Sequence, residues 1–288
     1  MKRIAIALIL VAACAKHEQT TTPPPAPAPK AEVTTSSAAP APATPPAAIT
    51  VAANAPVPAN GLVLWLRADS GVTAGADGKV SAWAVEGSPL KATAETPEQQ
   101  PSLVASDVGG KPAVHFDGND DMLGVDLNVD PSAAPQLTVI SVFKSDTDSK
   151  TPLRKLYGAD DGGYDRAAGL DDRASDPNDN YTIFGGNADV VGVFALKANT
   201  PYLTVDSYDD AAKVMNVWVN GAAAKQNVQS EHGKSLTKFY LGGTGTSYHE
   251  PWQGSLSEML VYARTLNDDE RKKVEDYLAA KYGLTLTR

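Results

Sequence analysis

The 288-residue chain is 42% hydrophobic and 20% charged, and its 34 acidic against 25 basic residues leave a formal net charge of −9. A nucleic-acid polyanion would meet net repulsion, so cations, neutral glycans and proteins are the partner classes left open. The single cysteine excludes an intramolecular disulfide and a cysteine-based metal cluster.

Met1-Lys2-Arg3 gives a positive start, and Ile4 to Val11 is an apolar run. The run is too short to cross a hydrocarbon core about 30 Å thick and suits an export signal over residues 1–13. It ends in Val11-Ala12-Ala13-Cys14, which resembles the bacterial lipobox, where small residues precede a cysteine that is diacylated before cleavage on its N-terminal side. An ordinary secretory signal is the alternative, but the only cysteine of the chain falls at this position, which favours lipidation. Each buried acyl methylene contributes about 0.8 kcal/mol, and more than one chain gives stable anchoring. The membrane is therefore a partner through lipid alone. Ala15 stands where an aspartate would retain an enteric-type lipoprotein at the inner membrane, which implies an outer-membrane location in a Gram-negative envelope.

Residues 14–60 hold runs such as Pro23-Pro24-Pro25-Ala26-Pro27-Ala28-Pro29 and Ala39-Pro40-Ala41-Pro42-Ala43 without hydrophobic periodicity. Such a segment cannot build a core and is expected to be a disordered, lipidated tether. In extended polyproline II, at about 3.1 Å per residue, some 40 residues reach roughly 100 Å.

From Gly61 the texture changes, and residues 61–288 are expected to form one domain. Leu62 to Leu66, Ala113 to Phe116, Leu137 to Phe143, Tyr181 to Phe184, Val190 to Leu196, Tyr202 to Asp206, Val214 to Val219, Phe239 to Leu241 and Met259 to Tyr262 read as short strands between Gly, Asn, Asp and Pro. Asn220-Gly221 suits a type I′ hairpin turn. One helix follows, with Asn267 as N-cap, Glu270 at N3, Val274, Tyr277 and Leu278 on one face, and Gly283 as the stop. Many strands with one late helix predict an all-β, two-sheet antiparallel sandwich. Trp65, Trp83 and Trp218 are read as core aromatics.

Gly61-Leu62-Val63-Leu64-Trp65-Leu66-Arg67-Ala68-Asp69, Gly110-Lys111-Pro112-Ala113-Val114-His115-Phe116-Asp117-Gly118 and the ending from Gly254 through Tyr282-Gly283 resemble laminin-G-like, concanavalin A-like domains in order and spacing. The resemblance covers about residues 60–285. It implies a jelly roll and a fold that hosts both lectins and glucanases.

No Glu-x-Asp-x-x-Glu strand, Gly-x-Ser-x-Gly elbow, His-Glu-x-x-His pair or phosphate loop occurs, so no enzyme is expected. The four histidines, His17, His115, His232 and His249, are dispersed. Asp160, Asp161, Asp165, Asp171 and Asp172 head an acid-rich stretch that could supply the oxygen ligands of calcium, and the family resemblance implies calcium at a loop rim. A solvated loop whose Asp, Asn and Gly make turns is the competing reading. Asp117-Gly118-Asn119-Asp120-Asp121 opens like an EF-hand, but Met122 and Asn128 break the pattern, so a turn between strands is expected there. Tyr248, His249 and Trp252 could stack on a sugar ring, although Trp252 could equally cover the core.

The expectation is a lipid-anchored, non-catalytic module that binds glycan or protein, with calcium as the one candidate cofactor. A structural lipoprotein within an envelope assembly is the first alternative. A polysaccharide hydrolase or lyase with a non-standard site is the second, because fold does not fix function.

Overall fold

The computed structural model describes residues 43–160, 162–163, 165–174, 176–185, 190–230, 236–245 and 250–288. Cys14 and the export signal lie outside them. The strands are β1 (Leu62–Arg67), β2 (Val72–Ala74), β3 (Val80–Ala84), β4 (Lys91–Thr93), β5 (Ser102–Val104), β6 (Ala113–Asp117), β7 (Leu123–Val125), β8 (Gln136–Ser145) and β9 (Arg154–Gly158). Then come β10 (Ala167–Leu170), β11 (Tyr181–Phe184), β12 (Val191–Phe194), β13 (Pro201–Asp209), β14 (Val214–Val219), β15 (Ala222–Gln229), β16 (Phe239–Leu241), β17 (Gln253–Tyr262) and the helix α1 (Asp268–Tyr282).

They form two antiparallel sheets, a jelly-roll sandwich with one C-terminal helix. The eight-stranded sheet runs β15-β14-β13-β8-β17-β6-β5, with β1 also on β17; the nine-stranded sheet runs β12-β11-β10-β9-β16-β7-β4-β3-β2. At ten residues, β17 is long enough for β6 to pair with its first half and β1 with its second, while β8 pairs along the opposite edge. Between the sheets, Phe143 stacks on Tyr181 at 5.5 Å and meets the Trp252 ring edge-on at 5.7 Å. Leu64, Leu66 and Met259 are enclosed in the same core.

The turn chemistry acts as the sequence predicts. Asn220 and Gly221 both take positive φ, and Val219 pairs directly with Ala222, so β14 and β15 form a two-residue hairpin. Asn267 and Glu270 form a reciprocal capping box, and left-handed Gly283 ends α1. Trp83 and Trp65 are enclosed, whereas Trp218 is half-buried with the Arg271 guanidinium 4.5 Å above its ring.

The domain takes in more chain than composition indicates. Ile49 and Val57 belong to the core, the Ile49 amide donates to the Leu62 carbonyl at 2.8 Å, and Thr50 donates to Gly87 at 3.2 Å. Two β-branched apolar side chains in the Pro/Ala stretch are enough to dock it, so the stretch before Gly61 is not tether throughout.

A β-bulge between Leu256 and Glu258 turns the Glu258 carboxylate to the outer side of the eight-stranded sheet, under α1. There it is fully enclosed and accepts from Trp65 Nε1 (2.7 Å), Tyr277 Oη (3.0 Å), Lys281 Nζ (2.7 Å) and Tyr282 Oη (2.9 Å). Removing an enclosed charge strands its partners. Glu258→Ala is therefore expected to lower the unfolding free energy by about 3–5 kcal/mol in urea titration, against about 1 kcal/mol for Asn267→Ala.

Candidate functional site

The outer face of the nine-stranded sheet carries the other dense charge network. In β11, Tyr181 and Ile183 turn into the core, so strand alternation sends Thr182 and Phe184 outward. The register of β9 on β10 shifts between Ala168 and Gly169, which seats Lys155 opposite Gly169 and Tyr157 opposite Ala168. Tyr157 reaches inward, and Lys155 lies outside with Nζ 4.4 Å from the Phe184 ring centre.

Asp171 follows β10 directly, its amide donating to the Asn180 carbonyl at 3.0 Å. Lys155 Nζ donates to Asp171 Oδ2 at 2.6 Å. Arg173 grips the same carboxylate with Nε on Oδ1 (2.8 Å) and an Nη on Oδ2 (2.6 Å). Glu250 is fixed by its own backbone carbonyl, which accepts from the Lys155 amide at 2.9 Å, and its carboxylate lies 3.5 Å from Arg173. Lys155 and Asp171 have no exposed side-chain surface, whereas Arg173 is 39% and Glu250 12% exposed. Asp171 thus takes the Arg173 fork from beneath, leaving a partly exposed guanidinium edge beside a mostly enclosed carboxylate.

Burial pushes the Asp171 carboxyl up, but the hydrogen bonds from Arg173 and Lys155 and the Lys155 charge overcome it and bring it to about 2. Burial raises Glu250, only partly offset by Lys155 and Arg173, with Asp171 and Asp160 adding to the rise. Burial lowers Lys155 against the pull of Asp171 and Glu250.

The sequence-predicted residues separate. Asp171 belongs to this network, but a lysine and an arginine occupy its oxygens and would repel a metal ion, so its expected role as a ligand is corrected. Asp160 is enclosed and spends Oδ1 on the amides of Gly162 (2.7 Å) and Asp165 (3.3 Å), an Asx-type turn. Asp165 is enclosed, and Asp172 is exposed. Asp161, Tyr248 and His249 lie outside the described residues. Trp252 is fully enclosed against Phe143 and offers no face to a sugar; it covers the core.

Among the described residues, the carboxylates that come together are Asp117, Asp120 and Asp121, with oxygens within 4.8 Å of one another, in the turn from β6 to β7. Asp121 is enclosed, takes the Asp117 amide on Oδ2 at 2.9 Å, and has Lys79 Nζ 3.6 Å from Oδ1. Burial and the neighbouring Asp117 and Asp120 charges outweigh the Asp117 amide and Lys79 and raise it to about 6. Lys79 therefore already supplies a balancing charge to this turn.

Lys155, Arg173 and Glu250 escaped sequence reasoning because lysine and glutamate are ordinarily exposed. No local signal marks Lys155: strand alternation would set it on the inner face with Tyr157, and only the register shift between β9 and β10 sends it outward. Asp171→Asn is expected to cost about 3–5 kcal/mol in urea titration, and Lys155→Met with Asp171→Leu to recover most of it. Because the Asp171 pKa is depressed in the fold, its contribution is present above about pH 4 and is lost as pH falls toward 2.

No family model and no curated protein matches the chain. Solved structures match by fold. A mutant of Trypanosoma rangeli sialidase displaying trans-sialidase activity aligns at TM-score 0.52 and 19% identity, over 80% of this chain and 34% of that one. The same sialidase in complex with the inhibitor DANA aligns at TM-score 0.52 and 18% identity, over 80% and 35%. The HCR/D F1240A mutant aligns at TM-score 0.50 and 10% identity, over 78% and 55%. The chain thus spans about a third of the sialidase and about half of HCR/D, and at these identities what it shares with them is the β-sandwich fold.

Proposed function

We propose that the chain is a membrane-anchored, non-catalytic module that binds glycans on the outer face of its nine-stranded sheet. The observation that carries this reading is the surface pair Arg173 and Glu250, held from beneath by Asp171 and Lys155. The partly exposed edge of the Arg173 guanidinium and the Glu250 carboxylate beside it set charged donor and acceptor groups side by side, the chemistry that vicinal sugar hydroxyls pair with. Fixing both from enclosed partners lowers the ordering cost of binding. The laminin-G-like sequence resemblance supports the same reading.

The anchor is the lipid on Cys14, in an outer membrane. Among the described residues no helix is long and apolar enough to cross a bilayer. Cys14→Ser is expected to move the protein from the membrane to the soluble fraction; unchanged lipid labelling of that variant would exclude acylation there.

Binding of the Cys14→Ser chain to a glycan panel, with calcium and with chelator, tests the module. Selective binding that falls at least tenfold in Arg173→Ala and Glu250→Gln supports it, and chelator sensitivity adds calcium. No binding in either condition overturns it in favour of a protein partner or an envelope assembly. The enzyme alternative rests on Glu250 alone, a half-buried carboxyl that burial raises, because Asp171 is enclosed and both its oxygens are held by Lys155 and Arg173. Chain shortening of a bound polysaccharide, abolished by Glu250→Gln, would establish that reading.

A further inference from the structure

Midway along β13 the seam between the sheets turns polar. Thr204, Asp206 and Tyr208 alternate onto the inner face, Ser141 of β8 is the cross-strand partner of Thr204, and Tyr157 and Tyr181 reach in from β9 and β11. All six are at most 1% exposed. Tyr157 Oη donates to Asp206 Oδ2 at 2.7 Å and lies 3.1 Å from Tyr208 Oη. The Tyr181 hydroxyl sits beside that of Thr204 without the alignment of a hydrogen bond. Among the described residues, Asp206 Oδ1, Thr204 Oγ1, Ser141 Oγ and Tyr181 Oη have no hydrogen-bond partner. Enclosed polar atoms are almost always partnered, and where several meet, buried water making about three hydrogen bonds is the usual partner.

We propose that this seam is a buried hydration site in which ordered water bridges Asp206, Thr204, Ser141 and Tyr181, and that Asp206 is the proton-binding group that sets how firmly the two sheets close. The groups facing it are known element by element. Tyr157 comes from β9, Tyr181 from β11, Ser141 from β8, and Tyr208 from its own strand, while β14 contributes the apolar Met215 and Val217. Beyond Tyr208, the Arg166 guanidinium lies 5.5 Å from the Tyr208 ring centre and pairs with Asp210 at 3.3 Å.

Burial raises the Asp206 carboxyl to about 7 in spite of the hydrogen bond from Tyr157. Protonated, it donates to the bridging water; ionised, it is a charge without a counter-ion between two sheets. The folded state therefore binds one proton more than the unfolded chain between about pH 4 and pH 7. Stability from this group is full below that window and falls as pH rises through it.

Urea unfolding of the full chain across about pH 4 to 8 tests the proton: Asp121 and Glu250 are raised as well and add to the parent's decline, and Asp206→Asn is expected to make that decline shallower by one proton. An unchanged slope in that variant overturns the proposal. Should Asp206→Asn not fold, Tyr157→Phe removes the hydrogen bond that favours the ionised form, together with the hydroxyl contact to Tyr208, and leaves the carboxyl in place. The infrared carbonyl band of the protonated acid is then expected to persist to higher pH, and an unmoved midpoint overturns the proposal. A high-resolution crystal structure at acid pH is expected to show water within hydrogen-bond distance of Asp206 Oδ1; none there overturns the hydration site.

Discussion

Glu258 has no contact with solvent, yet four donors converge on it from β1 and α1. The bulge in β17 exists to aim it: without the extra residue, strand alternation would keep Leu256 and Glu258 on one side, and the carboxylate would enter the core. With the bulge, Leu256 stays against the inner side chains while Glu258 meets Trp65, Tyr277, Lys281 and Tyr282. The helix is thereby fixed over the junction of β1 and β17, and both strands are fixed where β17 links them to β8.

The network on the other sheet is built from strands and loops alone, with no helix over it among the described residues. Around Glu258 the charges sit beneath a helix and reach the surface through Lys281, which also pairs with the partly exposed Asp69 at 3.0 Å. Around Asp171 the enclosed pair with Lys155 extends through Arg173 and Glu250 to the surface.

Much of the fold was legible where side-chain pattern and local chemistry coincide. β11, β14 and β16 match their apolar runs, and α1 is bounded by Asn267, Glu270 and Gly283 as read. β10 was not legible, since Ala167-Ala168-Gly169-Leu170 has no β-branched residue and becomes a strand only because its neighbours cover it. β15 is a polar edge strand, defined by pairing with β14 rather than by alternation. The site was half legible: the acid-rich stretch drew attention to Asp171, but its partners, Lys155 before it and Glu250 far beyond it, meet only through strand pairing. No local pattern encodes that distance.

The docked segment around Ile49 and Val57 has a mechanical consequence. A pull on the chain before Ala43 first meets the Ile49–Leu62 and Thr50–Gly87 hydrogen bonds, which can part singly, like a zip. Only after they part does tension reach β1, whose bonds to β17 run along its whole length and share the load. The domain thus has a weak leader in series with a strong strand, so a sudden tug is absorbed by local unpeeling before the sandwich itself bears force.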